Sequence, residues 1–219
     1  KNIAKQFNYI ATFMAKINTE LPGSGGHLHQ SLWKDGKNVF QNQSDKMSET
    51  MKQYLAGQLY CLPHILPMFA PNINSYKRLV DGYWAPTRIG WCYENRTTTH
   101  RVIPANSATR IECRVAGADA NPYLVIAAAL ASGLYGIRNQ LDLDTMFPCA
   151  HGNAYKNDKL DVLPNNLYEA THKMKHSNIA VELFGETFVK HFVKTRLWEL
   201  KKFNESVTDW ELKRYIEII

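Results

Sequence analysis

The stretch TRIECRVAGADANPYLVIAAALASGLYGI, residues 109–137, changes its period part-way along, and that change decides the fold. Its first part alternates, so an extended chain puts Arg110, Glu112 and Arg114 on one face and Ile111, Cys113 and Val115 on the other. Asn121-Pro122 then supplies an N-cap residue followed by proline at the first helical position. The nearly apolar run 123–137 is 15 residues long and reads as a buried helix. It falls short of the roughly 20 residues that span a bilayer. A strand with one charged face, leading into an apolar helix, predicts an α+β domain in which an antiparallel sheet forms the floor of a site and helices back it.

The flanking sequence fits the same plan. Residues 6–17 carry Phe7, Tyr9, Ile10, Thr12, Phe13 and Ile17 ahead of a turn-rich segment, a pattern that predicts a strand feeding a loop. That loop runs into GSGGHLHQSLW, residues 23–33, where an extended backbone would point His27 and His29 the same way and turn Leu28 inward. Two readings of this His-x-His stand: a ligand-binding loop whose glycines admit a close approach, and a glycine-rich hairpin with surface histidines. Asp35-Gly36 predicts a hairpin turn. Ser48 opens a helical pattern of Met51, Leu55, Leu59 and Leu62 that Pro63 and Pro67 disturb, giving an amphipathic helix within 48–69. The last fifty or so residues read as a helical tail, with Thr208 and Glu211 forming a capping box and Trp210 and Tyr215 available for packing.

Composition narrows the function classes. The 219 residues, 45% hydrophobic and 21% charged, suit one large domain rather than a disordered chain. The net charge of +6 is moderate, and aromatic residues do not interleave with Lys and Arg, which argues against a nucleic-acid surface. No segment predicts a membrane span. Cys61, Cys92, Cys113 and Cys149 are widely spaced with no CxxC, which predicts neither a zinc ribbon nor a disulfide framework and makes a reducing, cytoplasmic setting the default. The chain opens KNIAKQF, with neither an apolar leader nor an initiator Met, and so reads as a piece of something longer.

The charges converge between 78 and 114, where Arg78, Arg88, Arg96, Arg101, Arg110 and Arg114 face only Asp81, Glu94 and Glu112. Guanidinium forks suit carboxylate and phosphate oxygens, so this density suggests an anion-holding site, against the alternative of local salt bridges. A carboxylate flanked by arginines would stay ionised and could bind a hard cation. His172 and His176 stand at i and i+4, yet THKMKH reads as a polar helix face with no third ligand.

Taken in order, GSGGHLHQSL, PNINSYKRLVDGYWAP, ENRTTTHRVIP and RIECRVAGADANPYL resemble the carboxyl-terminal part of the glutamine synthetase superfamily, from about residue 10 through the terminal helices. The resemblance implies ATP-dependent activation of glutamate and its capture by an amine, with Mg²⁺ or Mn²⁺. It implies metal ligation by His27 and Glu112, and contacts to ATP from His29, Ser31, Arg96 and Arg110. Arg96 and Arg101 match arginines of the phosphoryl-transfer region, whereas Gly23, Arg78, Arg101 and Arg114 match positions around bound glutamate. It further implies a ring-shaped homo-oligomer.

Two departures qualify that expectation. The family's other metal-binding glutamates and its small β-grasp domain lie upstream of these motifs, so residues 1–219 are expected to be a fragment that does not catalyse alone. Trp84 stands where glutamine synthetases carry a flap glutamate, which points toward the γ-glutamylpolyamine or γ-glutamylputrescine branch rather than ammonia. The indole could pack an alkyl chain or attract an ammonium, or it could merely pack the flap. Glutamine synthesis from ammonia and a non-catalytic relative that keeps the fold for assembly or regulation remain the competing readings.

Overall fold

The computed structural model describes residues 1–42 and 47–218. Its core is the contact between α2 (Glu49–Ile65) and α4 (Pro122–Arg138). Ser48 starts α2 by accepting from the Met51 amide at 3.1 Å, and Asn121 starts α4 by accepting from the Tyr123 amide at 2.9 Å. Both helices use the predicted caps. Met51, Leu55, Leu59 and Leu62 are buried, as their spacing predicts. Glycine lets the two backbones meet: a Cβ on Gly136 would lie 2.6 Å from the Gly57 amide nitrogen, and one on Gly133 would strike the Tyr54 ring. Only one face of α4 is buried, however, with Tyr123, Ile126 and Leu130 exposed on the rest. The buried helix expected from its composition is therefore buried on one face only.

The sheet has the order β1 (Leu28–Gln30), β6 (Arg110–Cys113), β5 (His100–Ile103), β4 (Trp91–Tyr93). Three strands are antiparallel, and β6 is central, its Glu112 lying opposite both His29 and Arg101. The fourth departs from the expected pattern, because β4 joins β5 in parallel. A parallel pair ordinarily needs a crossover of a dozen or more residues. Here residues 94–99 suffice. Glu94 takes φ 50°, Thr98 Oγ1 donates to the Asn95 and His100 carbonyls, and Thr99 Oγ1 donates to the Gly90 carbonyl. A separate hairpin, β2 (Trp33–Lys34) and β3 (Lys37–Asn38), turns through Asp35 and Gly36 at positive φ, as that dipeptide predicts.

The strand expected over 6–17 does not form. A short α1 (Asn2–Gln6) is followed by irregular chain with Ile10 fully exposed. The segment is tied down near its end, where the Lys16 amide donates to Asn74 Oδ1 and Asn74 Nδ2 donates to the Lys16 carbonyl. Among the described residues its β-prone residues find no neighbouring strand, and propensity without a partner makes no sheet. Small helices α3 (Ile73–Arg78) and α5 (Leu143–Met146) flank the core, and the tail comprises α6 (Leu167–Lys175), α7 (Asn178–Phe184), α8 (Glu186–Asn204) and α9 (Asp209–Tyr215). The capping box at Thr208 and Glu211 is present, and Trp210 meets Tyr215 edge-on at 5.7 Å. Among the described residues no helix is long and apolar enough to cross a membrane.

The cysteines correct the sequence reading. Cys92 on β4 and Cys149 are joined as a disulfide, 57 residues apart with Cα atoms 5.0 Å apart, whereas Cys61 and Cys113 are free and buried. No local spacing could show this pair. It depends on the 147–152 loop folding back along β4, where the Ala150 amide donates to the Trp91 carbonyl at 2.9 Å and the Trp91 indole donates to the Phe147 carbonyl at 2.7 Å.

Burial of His100 gives the fold an acid limit. Desolvation pushes its pKa down from 6.5 to about 3, and among the described residues no carboxylate supports a charge on the buried imidazole. A depressed folded-state pKa means that the unfolded chain binds the proton more tightly. The contribution is complete above pH 6.5 and is lost as pH falls toward 3. Between pH 7 and pH 5 it should fall by about 2 kcal/mol. Urea titrations at the two pH values test this: His100→Asn, less stable at pH 7, should lose less on acidification, and an equal loss in both proteins would acquit His100.

Candidate active site

The site is built around Glu112, whose register on the central strand places it between β1 and β5. Only 3% of this residue is exposed. Its Oε1 lies 2.9 Å from His27 Nδ1 and 2.7 Å from Arg114 Nη1, and its Oε2 accepts from Arg101 Nη1 at 3.1 Å. His29 Nε2 stands farther off, 3.9 Å from Oε1. Arg101 also clamps Glu94 through Nε and Nη2, and Arg110 Nε donates to His29 Nδ1 at 3.2 Å. Arg114 reaches outward too, donating to the Arg96 carbonyl at 3.2 Å and to the Trp84 carbonyl at 3.1 Å.

Opposing forces set the charges. Burial alone would raise the Glu112 pKa, but the His27 hydrogen bond and the Arg114 and Arg101 guanidiniums outweigh it and hold the carboxyl at about 2. Burial lowers His29, more than its attraction to Glu112 raises it, and Arg110 adds to the lowering. Burial also lowers Arg114. Since an ionised carboxylate can only accept, the proton between Glu112 and His27 belongs to His27 Nδ1. The His27 imidazole and the Glu112 carboxylate thus stand side by side.

These donors suit a hard or borderline divalent cation, as imidazole nitrogen and carboxylate oxygen do for Mg²⁺ or Mn²⁺. They do not enclose one. Among the described residues the one group of three potential ligands within reach of a single ion is Cys92, Cys149 and His151, so His27 and Glu112 by themselves would offer a cation only part of a coordination shell.

The remaining residues singled out from the sequence divide into two sets. Arg110, Glu112, Arg114, Arg101, His27 and His29 converge directly. Arg96 contributes its carbonyl, while its side chain is exposed. Ser31 accepts from the Trp33 indole at 2.9 Å beyond the end of β1. Arg78 is occupied elsewhere: its buried Nη2 donates to the carbonyls of Arg114, Val115 and Ala116, and burial lowers its pKa to about 10. Gly23 packs on that side chain so tightly that a Cβ would lie 2.5 Å from Arg78 Cγ. Trp84 is 62% exposed, with φ 59°, a left-handed conformation unusual for a bulky residue. The sequence reading missed the role of Glu94 as partner to Arg101, for which the count of opposing charges was the only signal. It also missed Asp119, which accepts from Ser75 Oγ at 2.6 Å and from Asn72 Nδ2 at 3.0 Å and so ties α3 to the loop after β6.

A mixed sheet backed by helices, carrying an ionised carboxylate inside a ring of arginines and histidines, defines a class of catalytic domain: the glutamine synthetase catalytic-domain family matches residues 1–215, and the chain belongs to that family. Among its relatives are type-1 glutamine synthetase 2 of Dictyostelium discoideum, 50% identical across the whole chain, and glutamate–isopropylamine ligase of a Pseudomonas species, 43% identical across the whole chain. Gamma-glutamylethanolamide synthetase of Streptomyces coelicolor is 43% identical over 99% of the chain. These matches cover 43%, 48% and 46% of the respective relatives, so the chain spans about half the length of the curated relatives it matches. In three dimensions it superposes on an ADP complex of GmaS with a TM-score of 0.87 at 31% identity, covering 99% of this chain and 51% of that one. Apo GmaS gives a TM-score of 0.86 at 30% identity, covering 99% and 50%. Enzymes of the family use ATP and divalent cations.

Proposed function

We propose that the full-length protein joins the γ-carboxyl of glutamate to an amine, using ATP and passing through γ-glutamyl phosphate. The carrying observation is Glu112, a buried carboxylate kept ionised by His27, Arg101 and Arg114. In this reading His27 and Glu112 hold part of the site for Mg²⁺ or Mn²⁺, which supplies charge neutralisation for phosphoryl transfer. His29, Ser31, Arg96 and Arg110 serve the nucleotide phosphates. Arg96 and Arg101 neutralise the transferring phosphoryl group. Arg114 and Arg101 orient glutamate, while Arg78 and Gly23 hold the wall on which it lies. The protein would work as a cytoplasmic homo-oligomeric ring, without nucleic acid or membrane.

Trp84 gives the reading its amine. Its carbonyl is held by Arg114, and its exposed indole offers an apolar, electron-rich face to an alkylammonium. Putrescine or another polyamine suits that face better than ammonia does. A relative named for ligating isopropylamine and one named for a γ-glutamylethanolamide product support an organic amine, and relatives named glutamine synthetase support ammonia as the second reading.

Phosphate release by the full-length protein with ATP, glutamate and each amine, with mass detection of the product, tests this. Turnover is expected with putrescine or a related amine and not with ammonium. Trp84→Ala should raise KM for the organic amine about 5- to 10-fold, the size of one cation–π contact, and leave kcat with saturating amine near its starting value. Efficient ammonium turnover would restore glutamine synthesis, and silence with every amine would favour a non-catalytic role.

A further inference from the structure

Away from the Glu112 cluster, Cys92 at the middle of β4 stands together with Cys149 and His151 of the loop that runs beside it. Their three donor atoms lie within 4.8 Å of one another, and Cys92 Sγ is 3.7 Å from His151 Nδ1. Around a tetrahedral zinc ion, with Zn–S near 2.3 Å and Zn–N near 2.05 Å, adjacent ligand atoms stand roughly 3.6–3.8 Å apart. The sulfur-to-nitrogen spacing already fits. Once reduced, two unbonded sulfurs must also separate to about that distance.

The surroundings are built rather than incidental. Asn95 Nδ2 donates to the carbonyls of Ala150 at 2.9 Å and Gly152 at 2.8 Å, bracketing His151, and the Trp91 indole and Ala150 amide bonds fix the loop from its other end. Both cysteines are thus carried on backbone held by hydrogen bonds that do not involve sulfur. Cys149 and His151 also line a cavity of about 420 Å³, together with Asn157, Lys159 and Asp161, which gives an ion a way in. Cys92 is buried, Cys149 partly buried and His151 exposed, a graded access suited to a three-ligand site whose fourth position is left to water.

We propose that Cys92, Cys149 and His151 form a redox-gated binding site for a thiophilic divalent cation, zinc in particular: the dithiol binds the ion, and the Cys92–Cys149 disulfide excludes it. The two thiols release two protons as they bind the cation as thiolates. Closing the site removes two electrons from the thiols. A small-molecule disulfide accepts them, and its two halves leave as thiols. This site is independent of the ligase reading, because it shares no residue with the Glu112 cluster.

Cobalt(II) is the probe. The full-length protein, reduced and freed of metal, should take up one thiolate-bound Co²⁺ per chain, seen as near-ultraviolet sulfur-to-cobalt charge transfer, and zinc should displace it. Cys92→Ser and Cys149→Ser should each remove most of that absorption. His151→Ala, a change at an exposed position, should weaken binding at least ~10-fold, the lower figure for loss of even an outer-shell partner. Oxidation by glutathione disulfide should abolish the charge-transfer band, with peptide mapping locating the Cys92–Cys149 bond. His27→Ala should leave the band intact, which separates this site from the ligase centre. Absence of a cobalt–thiolate band in reduced protein, or a band indifferent to His151→Ala and to oxidation, would overturn the proposal.

Discussion

Replacing Glu112 with alanine is expected to destabilise the fold by about 3–5 kcal/mol, because it leaves Arg114 and Arg101 without the carboxylate between them. Arg114 is the decisive partner: it is 4% exposed, and its carbonyl contacts to Arg96 and Trp84 satisfy hydrogen bonds without neutralising its charge. A chemical denaturation series on the 219-residue chain checks this, with Glu112→Gln as the comparison. The amide retains size and one acceptor but removes the charge. It should therefore lose less stability than alanine while, in the full-length protein, lowering turnover by on the order of 10²–10³-fold. An alanine variant within about 0.5 kcal/mol of the parent would mean that Arg114 finds solvent or another partner, and the central role given to Glu112 would fail.

The second large effect lies far from the charges. Gly136→Val should cost about 3 kcal/mol or more, because the new side chain would be driven into backbone rather than into a flexible neighbour. Gly57 and Gly136 face one another across α2 and α4, and a Cβ on Gly57 would in turn lie 2.5 Å from the Gly136 amide nitrogen. Neither helix can yield without pulling its buried face, Leu55 and Leu59 on one side and Ala128 and Ala129 on the other, out of register. Thermal unfolding is the measurement. Gly152→Ala is the control, since Gly152 has open space at Cβ and a φ of 74° and should show only modest backbone strain. Equal losses in the two variants would mean that backbone conformation, and not the helix contact, controls the response.

These two regions were legible to different depths. Position 112 was readable because a strand's period of two puts Arg110, Glu112 and Arg114 on one face whatever the partner strands are. The caps at Ser48, Asn121 and Thr208 were readable for the same reason: each bonds within three residues of itself. The glycines of α4 gave no hint that Gly57, about eighty residues earlier, would fill the space above them. Likewise the β-rich composition of 6–17 could not reveal that no strand edge awaits it, nor the spacing of the cysteines that Cys92 and Cys149 meet.

The sequence by itself determined the local elements, the charged face of β6, the turn at Asp35-Gly36 and the four ordered motifs that mark the family. All of these follow from forces acting over a few residues. Only the tertiary structure decided that His27, just before β1, and Arg101 on β5 close on Glu112 from opposite sides, that Arg78 turns its guanidinium onto backbone carbonyls, and that β4 lies parallel to β5. Each depends on pairing between segments distant in the chain. There the packing of the whole core and the need to satisfy every buried polar group choose among contacts that local sequence leaves equally open.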